Sequence, residues 1–233
     1  MQTQPLRTLF LDAGGVLIDP NWDRVAEILR RHGVEADGPT LRAAEPHAKL
    51  RIDQPARVRI TDDAARGFDL FHLVLERCGI ALSSATDAAL DDVHDYHARH
   101  NLWERVIDGT TEALDHLRTA GLVLVVVSNA NGKLHALLDR LDLSRRFEVV
   151  VDSFVEGIEK PDPEIFRIAL ERSGADPATT LHAGDLYQID VLGARSAGLR
   201  QALIDPAGLY PDADCARFAD LSALASAVVE CRI

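Results

Sequence analysis

Five short apolar runs, each followed by polar or turn-forming residues, constrain this chain more than any other feature of its sequence. They are Leu9 to Leu11, Leu122 to Val127, Val149 to Val151, Thr180 to Ala183 and Gln201 to Ile204. Each is too short for a helix, so each reads as a buried parallel strand. Helical stretches separate the last four. One near Thr111 to Ala120 stops at Gly121. In another, Asp162-Pro163 supplies an N-cap and a proline at the first helical position, and Gly174 ends it. The next, around Ile189 to Ala197, stops at Gly198. Alternation of this kind predicts an α/β fold, a Rossmann-like, doubly wound parallel sheet.

The alternation breaks between about Asp19 and Arg105, where only helical patterns are found. Asn21 to His32 places Trp22, Val25, Ile28 and Leu29 on one face and ends at Gly33. Asp62 to Cys78 carries Phe68, Phe71, Val74 and Leu75 at helical spacing, and a third pattern runs from Thr86 to Arg99. An all-helical insertion after the first strand follows. It divides the chain into an α/β core, residues 1–18 and 106–233, and a helical unit, residues 19–105. The length of 233 residues suits a core domain carrying a smaller one.

A formal net charge of -12 with no Lys/Arg run argues against a nucleic-acid or anionic-membrane partner. A small anion needs a local cation to overcome that field, and the only lysines are Lys49, Lys133 and Lys160. Cys78, Cys215 and Cys231 form neither a CxxC nor a zinc spacing, which fits a reducing compartment. The polar start, Met1 to Arg7, and the brief first apolar run give no secretory signal or membrane span, so the expected location is the cytoplasm. Oligomeric state is left open by the sequence.

Ligands of open α/β sheets bind beyond the carboxyl ends of the strands, and the residues there carry chemistry. The first strand ends at Asp12, the second at Ser128-Asn129. Lys160 follows the third, and the fourth runs into Gly184-Asp185 with Asp190 five residues on. Carboxylates, one cation and a hydroxyl around one crevice suit Mg²⁺ and a phosphoryl group. Asp12, Asp185 and the backbone carbonyl near Gly14 are the expected metal ligands, with Asp190 in support. Asp12 is the expected nucleophile, forming an aspartyl-phosphate, while Lys160 clamps the phosphoryl oxygens. Ser128, Asn129 and Lys160 make up the expected substrate-binding set.

These four segments, in this order and each at a strand end, resemble the motifs of haloacid dehalogenase-superfamily hydrolases. The resemblance spans essentially the whole chain. It implies a Rossmann-like core, a C1-type helical cap over the active site supplied by the insertion, and Mg²⁺ as cofactor. Asn101 to Gly121 resembles the re-entry from cap to core, and Ile204 to Tyr210 resembles tails found in the family.

One position departs from the family's phosphatases. Their second Asp, two residues after the nucleophile, protonates the leaving oxygen, and here that position is Gly14. General acid-base help of that kind is worth ~10²- to 10⁴-fold. Glycine keeps the backbone carbonyl that the family uses as a metal ligand. Tyr stands there in 2-haloacid dehalogenases and Ala in phosphonatases, yet those dehalogenases resemble phosphatases minus the metal site, whereas Asp185 and Asp190 are kept here. A phosphonatase also needs a cap lysine, and the insertion offers only Lys49. His94, His97 and His100 read as a solvated helix face and His182 as a packed or hydrogen-bonded core histidine. The expected protein is thus a Mg²⁺-dependent phosphatase acting on a small phosphorylated metabolite, with reduced generic turnover. The alternatives are a weakly catalytic protein that binds a phosphorylated metabolite or another protein, and an enzyme cleaving C–P or C–halogen bonds.

Overall fold

The computed structural model describes residues 4–231. Along the chain run β1 (Thr8–Leu11), β2 (Ile18–Asp19), α1 (Trp22–Arg31), α2 (Gly38–Ile52), α3 (Pro55–Val58), α4 (Asp63–Arg77), α5 (Ser84–His100) and β3 (Arg105–Val106). Then come α6 (Thr110–Thr119), β4 (Val123–Ser128), α7 (Leu134–Arg140), β5 (Val149–Asp152), α8 (Ser153–Glu156) and α9 (Pro163–Ser173). The chain closes with β6 (Thr180–Gly184), a π-helical turn at Tyr187–Val191, α10 (Leu192–Ser196), β7 (Arg200–Ile204), β8 (Ala216–Phe218) and α11 (Leu221–Val229). These elements form two compact units, Met1–Asp19 with Val106–Ile233, and Pro20–Arg105. The joining segments β2 and β3 pair as a two-stranded sheet. No helix among the described residues is long and apolar enough to cross a membrane.

The first unit is an α/β domain around a six-stranded sheet of order β5-β4-β1-β6-β7-β8, whose neighbours all pair in parallel. All four residues of β1 are buried, as a central strand covered on both faces requires. Phe10, Val125, Val127 and Val151 pack against Ile165, Phe166 and Ala169 of α9. That helix starts as its sequence dictates: the Asp162 side chain accepts the Glu164 N–H at 2.9 Å, and Pro163 opens the first turn.

Register decides what meets at the strand ends. Leu11 lies opposite Val126 of β4 and opposite Ala183 of β6. Asp12, one residue further on, is therefore level with Val127 and Gly184. Ser128 and Asp185 each stand one step beyond it on the flanking strands.

The second unit is all-helical and has its own core of Trp22, Ile28, Leu29, Leu41, Phe71, Val74, Leu90 and Val93, among others. The sequence pattern shows α1, α4 and α5 but not α2. Pro46 lies inside that helix, and Glu45 occupies one of its buried positions. The Glu45 carboxylate accepts the Trp22 indole N–H at 2.6 Å and pairs with the Lys49 ammonium at 2.8 Å. A satisfied polar group fills a place where apolar periodicity looks for an aliphatic one.

Two further differences lie in the α/β unit. The sheet has a sixth strand, β8, whose three residues Ala216–Phe218 are too few to register as an apolar run. The helix expected around Ile189 to Ala197 is split into the π-helical turn and the short α10. Asp190 lies in that turn, a distortion often found where a side chain is needed off the regular helical track.

Candidate active site

Asp12 leaves the sheet at the end of β1, and its own N–H donates to the Ala183 carbonyl at 2.9 Å, which fixes its backbone. The chain then reverses tightly. Leu17 N–H and Ile18 N–H both donate to the Ala13 carbonyl, and Gly15 N–H donates to the Ile18 carbonyl at 2.8 Å. Gly15 sits at φ 74°, the left-handed region that favours glycine. Gly14, inside this turn, has no side chain with which to deliver a proton.

Lys160 is the hub. Its Nζ lies 2.7 Å from Asp190 Oδ1 and 2.9 Å from Asp12 Oδ1, and its side chain is only 1 % exposed. Burial alone would lower the lysine pKa, but the two carboxylates more than offset it and hold the group above its ordinary value, so the ammonium stays charged. The same pairing acts on Asp190. Burial would raise its carboxyl pKa, yet Lys160 and the His182 hydrogen bond pull it well below the usual carboxylate range.

Every oxygen of Asp190 is in use. Oδ1 takes Lys160 Nζ and His182 Nε2, the latter at 3.0 Å, while Oδ2 accepts the Leu186 N–H at 3.0 Å. Gly184 makes this placement possible. A Cβ there would stand 2.0 Å from Asp190 Cγ, so no larger residue fits while Asp190 keeps its position. His182 itself is fully buried, edge-on to the Phe166 ring at 4.9 Å between centroids.

Motif-bearing loops are tied to one another by less obvious residues. Asn129 Nδ2 donates to the Lys160 carbonyl at 3.0 Å, and its Oδ1 accepts the Lys160 N–H at 2.7 Å. The Asn129 side-chain amide is thus engaged with the protein's own backbone. Ser128, 4 % exposed, ends β4, and its hydroxyl donates to the Asn129 carbonyl at 3.3 Å, a long bond that a better acceptor can replace. Asp152 and Ser153, which the sequence reading missed, brace the loop after Ser128. Asp152 accepts N–H groups of Gly132, Leu134 and Phe154, and Ser153 Oγ accepts from Ala130 N–H at 3.0 Å. Their signal was an acidic residue and a serine directly after an apolar run, the same pattern that marked Asp12 and Ser128.

Ligand atoms of Asp12, Asp185 and Asp190 lie within 4.8 Å of one another, the one such group among the described residues. An all-oxygen set suits a hard divalent cation such as Mg²⁺. Asp190 already accepts three hydrogen bonds and is 1 % exposed, so Asp12 and Asp185, each 8 % exposed, are the carboxylates better fitted to hold one. The helical unit's histidines form no such group. His94 stacks on Phe68 at 4.4 Å, and His97 Nδ1 accepts the Leu102 N–H at 3.1 Å.

Comparison with known proteins gives concordant results. The family model described as haloacid dehalogenase-like hydrolase matches residues 6–198. Haloacid dehalogenase-like hydrolase domain-containing protein 3 of Mus musculus is 34% identical over 126 residues, 54% of this chain and 50% of that protein. The chain thus spans about half the length of the curated relatives of this kind that it matches. Glyceraldehyde 3-phosphate phosphatase of Pyrococcus abyssi is 26% identical over 197 residues, 84% of this chain and 79% of that protein. Among solved structures, the putative HAD-hydrolase YfnB from Bacillus subtilis, crystallised with magnesium, superimposes with a TM-score of 0.70 at 17% identity, over 97% of this chain and 99% of that one. A dehalogenase superimposes at 0.65 with 23% identity, over 96% of this chain and 97% of that one. At those identities the structural likeness establishes the fold.

Proposed function

The chain belongs to the haloacid dehalogenase-like hydrolases, and on that footing we propose that it is a Mg²⁺-dependent phosphatase of small phosphorylated metabolites. The observation that carries the proposal is the Lys160 ammonium shared between Asp12 and Asp190 at the strand ends. A charged, buried donor beside a carboxylate, with a second carboxylate set to hold a cation, is what an anionic phosphoryl group requires. The phosphatase relative in Pyrococcus abyssi supports the same class of substrate.

In this reading Asp12, Asp185 and the Gly14 carbonyl hold the cation, which supplies positive charge to the phosphoryl oxygens when bound. An Asp12 carboxylate oxygen attacks phosphorus, the bond to the leaving oxygen breaks, and that oxygen takes its proton from water. Water then attacks phosphorus in the aspartyl-phosphate, inorganic phosphate departs, the Asp12 carboxylate is restored and the remaining proton goes to solvent. Lys160 offsets charge on the transferring group in both steps, and the Ser128 hydroxyl turns from the Asn129 carbonyl to a phosphoryl oxygen. The helical unit, Pro20–Arg105, takes the part of a C1-type cap.

With Gly14 in place of a general acid, leaving groups that depart without a proton are favoured. The assay is direct: p-nitrophenyl phosphate against glycerol phosphate, with and without Mg²⁺. Faster turnover of the aryl ester, lost on chelation, supports the proposal; equal turnover of both with no metal requirement removes it.

Gly14 also supports a second reading, a protein that binds a phosphorylated ligand and scarcely turns over. A Schiff-base phosphonatase is disfavoured by Lys49, whose ammonium is paired with the buried Glu45 carboxylate and so is not presented as a free amine.

A further inference from the structure

His182 is a buried titratable group that the chemistry above does not use. It sits in β6, is 0% exposed, and points its Nε2 at the same Asp190 oxygen that receives the Lys160 ammonium. Its other ring nitrogen, Nδ1, is buried with no hydrogen-bond partner. These facts fix the form of the ring. Asp190 Oδ1 is an acceptor, so Nε2 must carry a hydrogen. A hydrogen on Nδ1 as well would leave a buried donor unsatisfied beside Phe166, whereas a bare lone pair there costs less. Burial accordingly lowers the imidazole pKa despite the carboxylate beside it.

The consequence concerns Lys160. Its ammonium is divided between Asp190, at 2.7 Å, and Asp12, at 2.9 Å. How it divides depends on how much negative charge Asp190 has to spare. The His182 N–H satisfies part of the Asp190 Oδ1 charge, and the Leu186 N–H satisfies Oδ2. Remove the imidazole donor and Asp190 draws the ammonium toward itself, away from Asp12 and from any group bound there.

We infer that His182 is a positioning residue, a neutral imidazole whose Nε2–H sets how the Lys160 ammonium is shared between Asp190 and the nucleophile Asp12. The inference rests on the phosphatase reading only for its kinetic consequence. Its structural content, one tautomer bonded to Asp190 and a lysine dependent on it, stands apart.

Two substitutions and one spectrum test it. His182→Leu removes the donor at similar volume, and His182→Gln restores an N–H near the Nε2 position. With p-nitrophenyl phosphate and Mg²⁺, the Leu variant is expected to lose about 10- to 100-fold in kcat, the equivalent of one hydrogen bond to a charged group, with a smaller change in KM. The Gln variant is expected to recover to within a few-fold. Equal losses in two variants that melt like the parent, or full activity in the Leu variant, would overturn the inference. Long-range ¹H–¹⁵N spectra of the parent protein supply a readout free of both folding and turnover. They should show Nε2 protonated and Nδ1 bare between about pH 6 and 8, where an ordinary histidine titrates. A proton on Nδ1, or an averaged ring, would contradict it. A parent protein that hydrolyses no ester but shows this tautomer, with the Lys160 ammonium signal shifted in the Leu variant, supports the positioning role while defeating the phosphatase reading.

Discussion

The side-chain amide of Asn129 closes two hydrogen bonds on the backbone of Lys160, one received at the lysine carbonyl and one given by its N–H. The residue after β4 thereby fixes the start of a loop thirty-one positions away in sequence, and with it the point from which the Lys160 side chain reaches Asp12. Positioning of this kind is part of catalysis because small misplacements of a charged group cost rate.

Asn129→Ala is expected to lower kcat by about tenfold or more while moving the melting temperature little, since the loss is of two hydrogen bonds near the surface of the sheet end. Steady-state kinetics beside a thermal melt check it. Unchanged kcat would mean that the loop holds Lys160 in place by other contacts.

Gly184→Ala tests the packing of the fourth strand end. The added Cβ meets Asp190 Cγ at 2.0 Å, so Asp190 must move and with it the bonds to Lys160, His182 and Leu186. The expected cost is about 1–3 kcal/mol of stability from overpacking, with activity reduced further than stability. Urea denaturation and hydrolysis of p-nitrophenyl phosphate measure the two effects separately.

The pH dependence of stability follows from the buried pair. Asp190 has a depressed folded pKa, so its contribution is fully present above the unfolded carboxyl value near about pH 3.9 and is lost as pH falls toward the folded one. Lys160 has a raised folded pKa, so its contribution is present below about pH 10.4 and is lost only as pH rises through the folded value. Asp190→Asn should therefore cost about 3–5 kcal/mol near neutrality, with the gap to the parent closing as pH drops below about 4. A gap that stays constant down to acid pH would show that the pair is not what stabilises the strand ends.

Gly14→Asp restores a carboxyl two residues after the nucleophile. Hydrolysis of glycerol phosphate is expected to rise by ~10-fold or more, within the range that general acid help supplies, and p-nitrophenyl phosphate to respond less. A folded variant with no gain on either ester would favour the binding-protein reading.

Much of this arrangement was legible in the sequence because strand ends announce themselves. A run of β-branched and aliphatic residues that stops at Asp12, Ser128 or Asp185 is, taken alone, as readily a cap or an ordinary turn; it is the stops together, in order and aligned by parallel pairing, that mark a sheet opening onto polar chemistry. What stayed hidden was the work of residues that bind other residues. Nothing local to Asn129 shows that its side-chain amide is satisfied by a backbone distant in sequence. Helix α2 stayed hidden because Glu45 is buried through partners, Trp22 and Lys49, that its apolar period does not reveal. The π-helical turn escaped because Ile189 and Val191 are buried there together with Asp190, whose burial rests on Lys160 and His182, partners that no local apolar pattern reveals.

The most direct test of the central claim is to trap the covalent intermediate. The protein is mixed with p-nitrophenyl phosphate and Mg²⁺, quenched in acid within its first turnovers, and read by intact and peptide mass spectrometry. One added phosphoryl group is expected on the peptide containing Asp12, absent in Asp12→Asn and absent when Mg²⁺ is chelated. Steady turnover with no adduct, or an adduct on another residue that survives Asp12→Asn, would contradict the account.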